Sequence, residues 1–235
     1  MGRHALTALT VGLIGLVGLS VSACSDDDEP VSAGQSPEEV MELAKTTVDE
    51  TSGLSITLST NDLPDGVTGI VAAEGVGTHA PAFEGTITVR LLGNSVEVPV
   101  VAVDGEVHAI LPLTSGYQSV DPGEYGAPDP AQLMSPDEGF SSLLPATTDL
   151  QEGDSVRGGE DNKEVLTEYT GTVPSSAVAN VIPSAEGDFD VTYSITSEGE
   201  LREAVLTGVF YPDSDEMTYT LGFDDYGTEQ DITAP

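Results

Sequence analysis

The chain has 235 residues, of which 41 are acidic and only six are lysine or arginine, for a formal net charge of −35. Such a surface repels nucleic acid and anionic head groups, which reward basic side chains, so neither is an expected partner. At 20% charged and 38% apolar residues the chain is no polyelectrolyte, and its length suits one domain with an ample core.

Residues 5–19 read ALTALTVGLIGLVGL behind a short start with Arg3. This run is too short for a membrane span and fits a secretory signal. It ends in Val21-Ser22-Ala23-Cys24, which resembles the bacterial lipobox: a branched apolar residue, two small ones and the cysteine that receives the diacylglyceryl group. Cys24 is the single cysteine, so no disulfide can form within the chain, and its acidic neighbours are not core residues. We therefore expect a signal peptide over 1–23, lipid attachment at Cys24, and a polar tether over 24–35. Two acyl chains suffice for stable anchoring where one is marginal. Every acid follows Cys24; spread along the domain, they read as a solvated, salt-screened surface.

The folded domain is expected over 36–235. Ser36-Pro37-Glu38-Glu39 is a helix start, with Ser36 as N-cap and Glu39 completing a capping box. Val40, Leu43, Ala44, Thr47 and Val48 follow at helical spacing, and the helix ends before Gly53. Then the period changes to two. Leu54, Ile56 and Leu58 alternate with Ser and Thr, and Ile87, Val89 and Leu91 alternate with Thr88 and Arg90. Gly93-Asn94 marks a turn, and SVEVPVVAV runs to the hairpin signal Asp104-Gly105. Within that run the apolar phase slips at Pro99-Val100-Val101, which predicts a bulge or bend.

Residues 112–148 lose alternation and fill with turn formers. Two helical pieces are expected there, one near Pro130 to Met134 and one opening at Ser135-Pro136 and carrying Phe140, Leu143 and Leu144. Strands return at Ser155 to Arg157 and Val165 to Val173, followed by a helix from Pro174 to Ile182. Three more strands are centred on Phe189 to Ile195, Leu201 to Phe210 and Met217 to Phe223. Strands in runs, with helices inserted only between some of them, define an α+β class with an antiparallel sheet.

Catalytic signatures are missing from the sequence. His79 and His108 have no second histidine at metal-ligand spacing, and no hydrolase, metalloprotease or P-loop motif occurs. The acid clusters around Asp188 and Asp190, and around Asp213, Asp215 and Glu216, lack the glycine and distal glutamate of a calcium loop and read as solvated hairpin tips. No enzyme activity, metal or cofactor is expected.

Several phrases, taken in order, resemble the LppX/LprAFG family of actinobacterial lipoproteins: SPEEVMELAKTTVDETSGLSITLST, VDGEVHAILP, DPAQLMSPDEGFSSLL, VPSSAVANVIPSA and VTYSITSEGELREAVLTGVFY. The resemblance spans about 36–232. Where relatives often carry a tryptophan, this chain has Tyr117, and it contains no tryptophan at all. The resemblance implies a strongly curved antiparallel half-barrel whose concave face is covered by helices, with an apolar cavity between them. It further implies binding of multi-acyl lipids, including triacylated glycolipids and triacylglycerol, their carriage from the cytoplasmic membrane toward the outer envelope, and a major-facilitator-type exporter as partner. A cargo-free envelope scaffold is the alternative.

On this basis the expected cavity lining is Ile87, Val89, Leu91, Val96, Val98, Val101, Val103 and Ile110 from strands, closed over by Leu133, Leu143, Leu144, Val178 and Ile182. A slip of one residue would exchange the faces of any strand. Three acyl chains would need more than the roughly 300–1,000 Å³ of ordinary ligand sites.

Overall fold

A computed structural model describes residues 34–91, 93–125, 127–159 and 162–235. The expected signal segment, Cys24 and nearly all of the tether lie outside the described residues.

The first helix, α1 (Pro37–Glu50), begins with the expected capping box. Glu39 N–H donates to Ser36 Oγ at 3.3 Å, and Ser36 N–H donates to Glu39 Oε2 at 2.8 Å. This arrangement satisfies two amides that a helix start leaves without partners, and such a cap contributes about 1 kcal/mol. Val40, Met41, Ala44 and Val48 form the buried stripe.

Among the described residues the strands are β1 (Gly53–Ser59), β2 (Gly69–Thr78), β3 (Ala82–Leu91), β4 (Asn94–Val103), β5 (Glu106–Ala109), β6 (Gln118–Val120), β7 (Thr148–Gly158), β8 (Glu164–Val173), β9 (Glu186–Thr196), β10 (Leu201–Val209) and β11 (Met217–Asp224). They form one open antiparallel sheet in the order β6-β5-β4-β3-β2-β1-β11-β10-β9-β8-β7. Two meanders, β1 to β6 and β7 to β11, are thus joined side by side through the β1–β11 pair. The sheet is larger than the sequence pattern announces. β2 (GIVAAEGVGT) shows no alternation, because glycines and alanines occupy much of it. It is a strand by virtue of its neighbours, bonded to β1 on one side and β3 on the other.

Asp104 and Gly105 both have positive φ, 56° and 75°, the backbone of a type I′ turn, so the Asp-Gly hairpin forms as its residues dictate. The expected bulge at Pro99-Val100-Val101 does not form: β3 and β4 stay in unbroken register from Ala82↔Val103 to Leu91↔Asn94. The phase slips because both faces of β4 are covered at this end. Val100 joins one apolar cluster with Phe83 and Ala109. Val101 joins another with Ala82 and Ile232, against which Val103 also packs.

Ile232 arrives there on the C-terminal segment, which leaves β11 and folds back over the sheet. Thr228 N–H donates to the Gly53 carbonyl at 3.1 Å, Ser52 Oγ donates to the Thr228 carbonyl at 3.1 Å, and Gln230 Nε2 donates to Glu84 Oε2 at 2.7 Å. Two valines in succession are buried because the strand has two dry sides.

β6 and β7 are the opposite edges of the sheet, so the segment joining them, 121–147, has to cross from one edge to the other. It contains the 3-10 turns Gln132–Met134 and Phe140–Ser142 and the short helix α2 (Leu143–Ala146), close to the two helical pieces expected. The Phe140 ring lies 5.0 Å from that of Phe223 in β11. Polar ties fix the segment to α1: Ser141 Oγ donates to Asp49 Oδ1 at 2.6 Å, and Lys45 Nζ donates to the Pro136 carbonyl at 2.6 Å while pairing with Asp49. The last helix, α3 (Ser175–Val181), buries Val178 and Val181. Its first amide donates to Asp188 Oδ1 at 2.7 Å, which gives that acid a structural use.

Candidate functional site

Buried apolar side chains fall into two main clusters. The larger joins α1, α2 and α3 to β8 to β11 and is filled by aromatics, including Tyr169, Phe189, Tyr193, Phe210, Tyr219 and Phe223. The smaller lies on β3 to β5 and, Phe83 apart, is built from valine and alanine. Short side chains cannot reach as far as aromatic ones, so the space above β2 to β5 stays open. There the structure has a cavity of about 600 Å³.

Strands β1 to β5, β10 and β11 all contribute to its wall, with Val48 of α1, Val181 of α3 and residues of the crossing segment on the other side. The wall is almost wholly hydrocarbon. Its polar groups are confined to a few positions, among them Thr68, Glu124 and Ser184.

Of the sequence-derived candidates, Ile87, Val89, Leu91, Val96, Val98, Leu133, Leu143 and Ile182 line this cavity. The others lie elsewhere. Val101 and Val103 face the C-terminal segment, for the reason given above. Ile110 is off by one: Val107, Ala109 and Leu111 line the cavity, so alternation turns Ile110 to the other face. Leu144 and Val178 are wholly buried in the larger cluster and close the protein's own core. Sequence reasoning missed Val100, whose phase the slip concealed, and Ile56, Leu58 and Leu221, whose alternation shows one apolar face without showing that β1 and β11 neighbour β2.

The cavity volume falls inside the ordinary range and below that expected for three chains, because the crossing segment and α3 send Leu133, Leu143, Val181 and Ile182 into the space. A methylene and a water molecule in the liquid each occupy ~30 Å³. A sixteen-carbon chain therefore needs about 500 Å³, and the cavity in this state admits about one.

Tyr211 and Tyr219 stand on the cavity wall and make a closed set of hydrogen bonds with β2. Ile70 N–H donates to Tyr211 Oη at 3.0 Å, Tyr211 donates to Tyr219 Oη at 2.9 Å, and Tyr219 donates to the Ile70 carbonyl. Burial pushes the Tyr219 phenol far above its ordinary range, and the neighbouring Tyr211 adds to this, so it remains a neutral donor. The ring ties β2 to the β10–β11 hairpin across the intervening β1. It needs glycine at 69, where a Cβ would lie 2.6 Å from Tyr211 Oη, and it coincides with a register shift between Ile70 and Ala72. Close by, Asp62 accepts from the Thr60 hydroxyl at 2.6 Å and from Thr218 N–H at 3.1 Å, latching the β1–β2 loop to β11.

This wall has the chemistry of a solvent for hydrocarbon: no charge faces most of it, and the hydroxyls of Tyr211, Tyr219 and Ser184 are engaged with one another or with backbone carbonyls. Among the described residues no group of three or more His, Cys, Asp or Glu is placed to hold a metal, and no helix is long and apolar enough to cross a membrane.

An open antiparallel sheet with an apolar hollow between two side-chain clusters defines the class. Solved structures share the fold: LprF from Mycobacterium bovis superposes with a TM-score of 0.67 at 15% identity, covering 85% of this chain and 96% of that one. LppX from Mycobacterium tuberculosis gives 0.60 at 16% identity, covering 83% and 97%. Residues 36–233 match the LppX_LprAFG lipoprotein family, and the chain belongs to that family. A relative in Mycolicibacterium hassiacum, the lipoarabinomannan carrier protein LprG, is 25% identical over 98% of this chain and 97% of its own length.

Proposed function

We propose that the protein is a non-enzymatic lipid carrier, anchored to the outer face of the cell membrane through Cys24, that shelters an acyl chain of a lipid or glycolipid in the cavity above β2 to β5. The observation that carries this reading is the hydrocarbon wall of the 600 Å³ hollow. In water a sixteen-carbon chain is unfavourable by about 12 kcal/mol, at ~0.8 kcal/mol per methylene, which holds a free lipid in its bilayer. A dry cavity removes that barrier without chemistry. The sheet curves around the chain as a half-barrel, and α1, the crossing segment and α3 form the cover over it. Further chains of a multi-acyl lipid enter only if the cover moves, since about one chain fills the present volume. An exporter of the major-facilitator type suits the role of a donor or acceptor of cargo.

The LprG relative, named as a lipoarabinomannan carrier, supports a glycolipid as cargo. The test is mass spectrometry of an organic extract of the chain from residue 24 on, purified with Cys24→Ser so that no anchor lipid is present. About one acyl lipid per protein is expected. A folded protein that yields none, and takes up none when offered fatty acid, would be a scaffold.

A further inference from the structure

Three large apolar side chains are exposed among the described residues: Leu91, Leu113 and Tyr117. They are not scattered. Leu91 ends β3 and lines the cavity, and Leu113 and Tyr117 lie on the β5–β6 loop, whose Leu111 and Pro112 also line it. Continued beyond Ala109, the β4–β5 register is held by the bond from Ile110 N–H to the Pro99 carbonyl, at 3.0 Å. This leads the loop along β4 toward the end of the β3–β4 hairpin that carries Leu91.

Leu113 is exposed at the expense of its own backbone. Thr114 N–H donates to the Leu111 carbonyl at 3.1 Å, closing a β-turn over 111–114. Pro112 fixes a negative φ at the second position, and Leu113 follows at φ +71°, which makes the turn type II. That third position favours glycine, and a leucine there is strained. A residue that is both strained and wholly solvent-exposed contributes nothing to the fold that a glycine would not improve, so its use lies outside the fold.

Charge isolates the same place. In a chain with 41 acids, residues 85–96 contain none and include Arg90, and residues 107–120 contain none either. These two stretches are the β3–β4 hairpin and the β5–β6 loop. A second copy of so acidic a chain would be repelled, whereas this rim presents hydrocarbon with Arg90 beside it, the nearest acid of the cavity wall being Glu124 beyond β6.

We propose that the rim formed by Leu91, Leu113 and Tyr117 docks on a phospholipid bilayer, seating the mouth of the cavity on the membrane so that an acyl chain passes between them without crossing water. The purpose rests on the carrier reading, but the docking is measured separately. An exposed leucine that enters the acyl boundary gains its transfer energy, while Arg90 stays at the phosphate level.

The experiment is flotation of the chain from residue 24 on, carrying Cys24→Ser, with vesicles of zwitterionic phosphatidylcholine, which the acidic remainder of the surface does not repel. The unmodified rim is expected to float with the vesicles. Leu113→Gly, which relieves the strained turn and so keeps or raises the melting temperature, is expected to lower partition about tenfold, from what burying a leucine contributes. Uptake of a fluorescent fatty acid in vesicle-free buffer should be unchanged in that variant, showing an intact cavity. A protein that never floats, or floats equally well with Leu113→Gly, overturns the docking. If flotation depends on Leu113 but no fatty acid is taken up by either protein, docking stands and the cargo reading alone falls.

Discussion

Filling the cavity from β4 should abolish binding without unfolding the sheet. Val98 pairs with Ile87 across β3 and β4, and both line the cavity. Val98→Trp adds about seven heavy atoms to the space, and each methylene of cargo displaced forfeits ~0.8 kcal/mol. Displacing only three of them weakens binding by about 2.4 kcal/mol, or ~50-fold in Kd. The neighbouring Glu97 is exposed on the other face of the same strand, so Glu97→Trp adds the same bulk where no cargo lies. Fluorescent fatty-acid titration of both variants, with thermal melts alongside, checks the outcome. A folded Val98→Trp protein that binds as tightly as the parent would show that the acyl chain lies elsewhere.

Three further outcomes are expected. Tyr219→Phe removes the donor to the Ile70 carbonyl and an acceptor for Tyr211, which should lower stability by about 1–3 kcal/mol in denaturant titrations. The Asp62 carboxylate is held below its usual range, chiefly by the Thr60 hydroxyl and then by Thr218 N–H, with burial opposing. A depressed folded-state pKa means a contribution present above the unfolded value of about 3.9 and lost as pH falls through the folded one. Asp62→Asn should therefore melt below the parent at neutral pH, and the gap should close under acid, as read from paired melts across pH. Ile232→Ser uncovers Val101 and Ala82 and should cost about 1–2 kcal/mol, with fatty-acid affinity unmoved, because that cluster lies behind the sheet.

Much of this molecule is written locally. The capping box of α1, the Asp104-Gly105 turn and the alternating runs of β3, β10 and β11 follow from neighbours one to four residues apart, and these elements stand close to where the sequence places them. β2 does not, since its glycines and alanines lack any period, and it becomes a strand only when β1 and β3 bond to either side. The candidate lining divides along the same division. Ile87, Val89, Leu91, Val96 and Val98 share a face by alternation alone, whereas Val101 and Val103 leave it because a segment from the far end of the chain packs behind them.

The sequence alone therefore determined the α1 cap, the antiparallel character of the sheet and the acid-free stretches at 85–96 and 107–120. It also held the aromatic weight of 140–226 against the short side chains of β2 to β5. Only the tertiary structure decided that those halves meet through β1 and β11, that 121–147 crosses from edge to edge, and that a hollow remains between them. Periodicity reports which side of a strand is dry; it carries no information on whether protein or empty space lies beyond, because that depends on side-chain reach across the sheet from residues more than a hundred positions away.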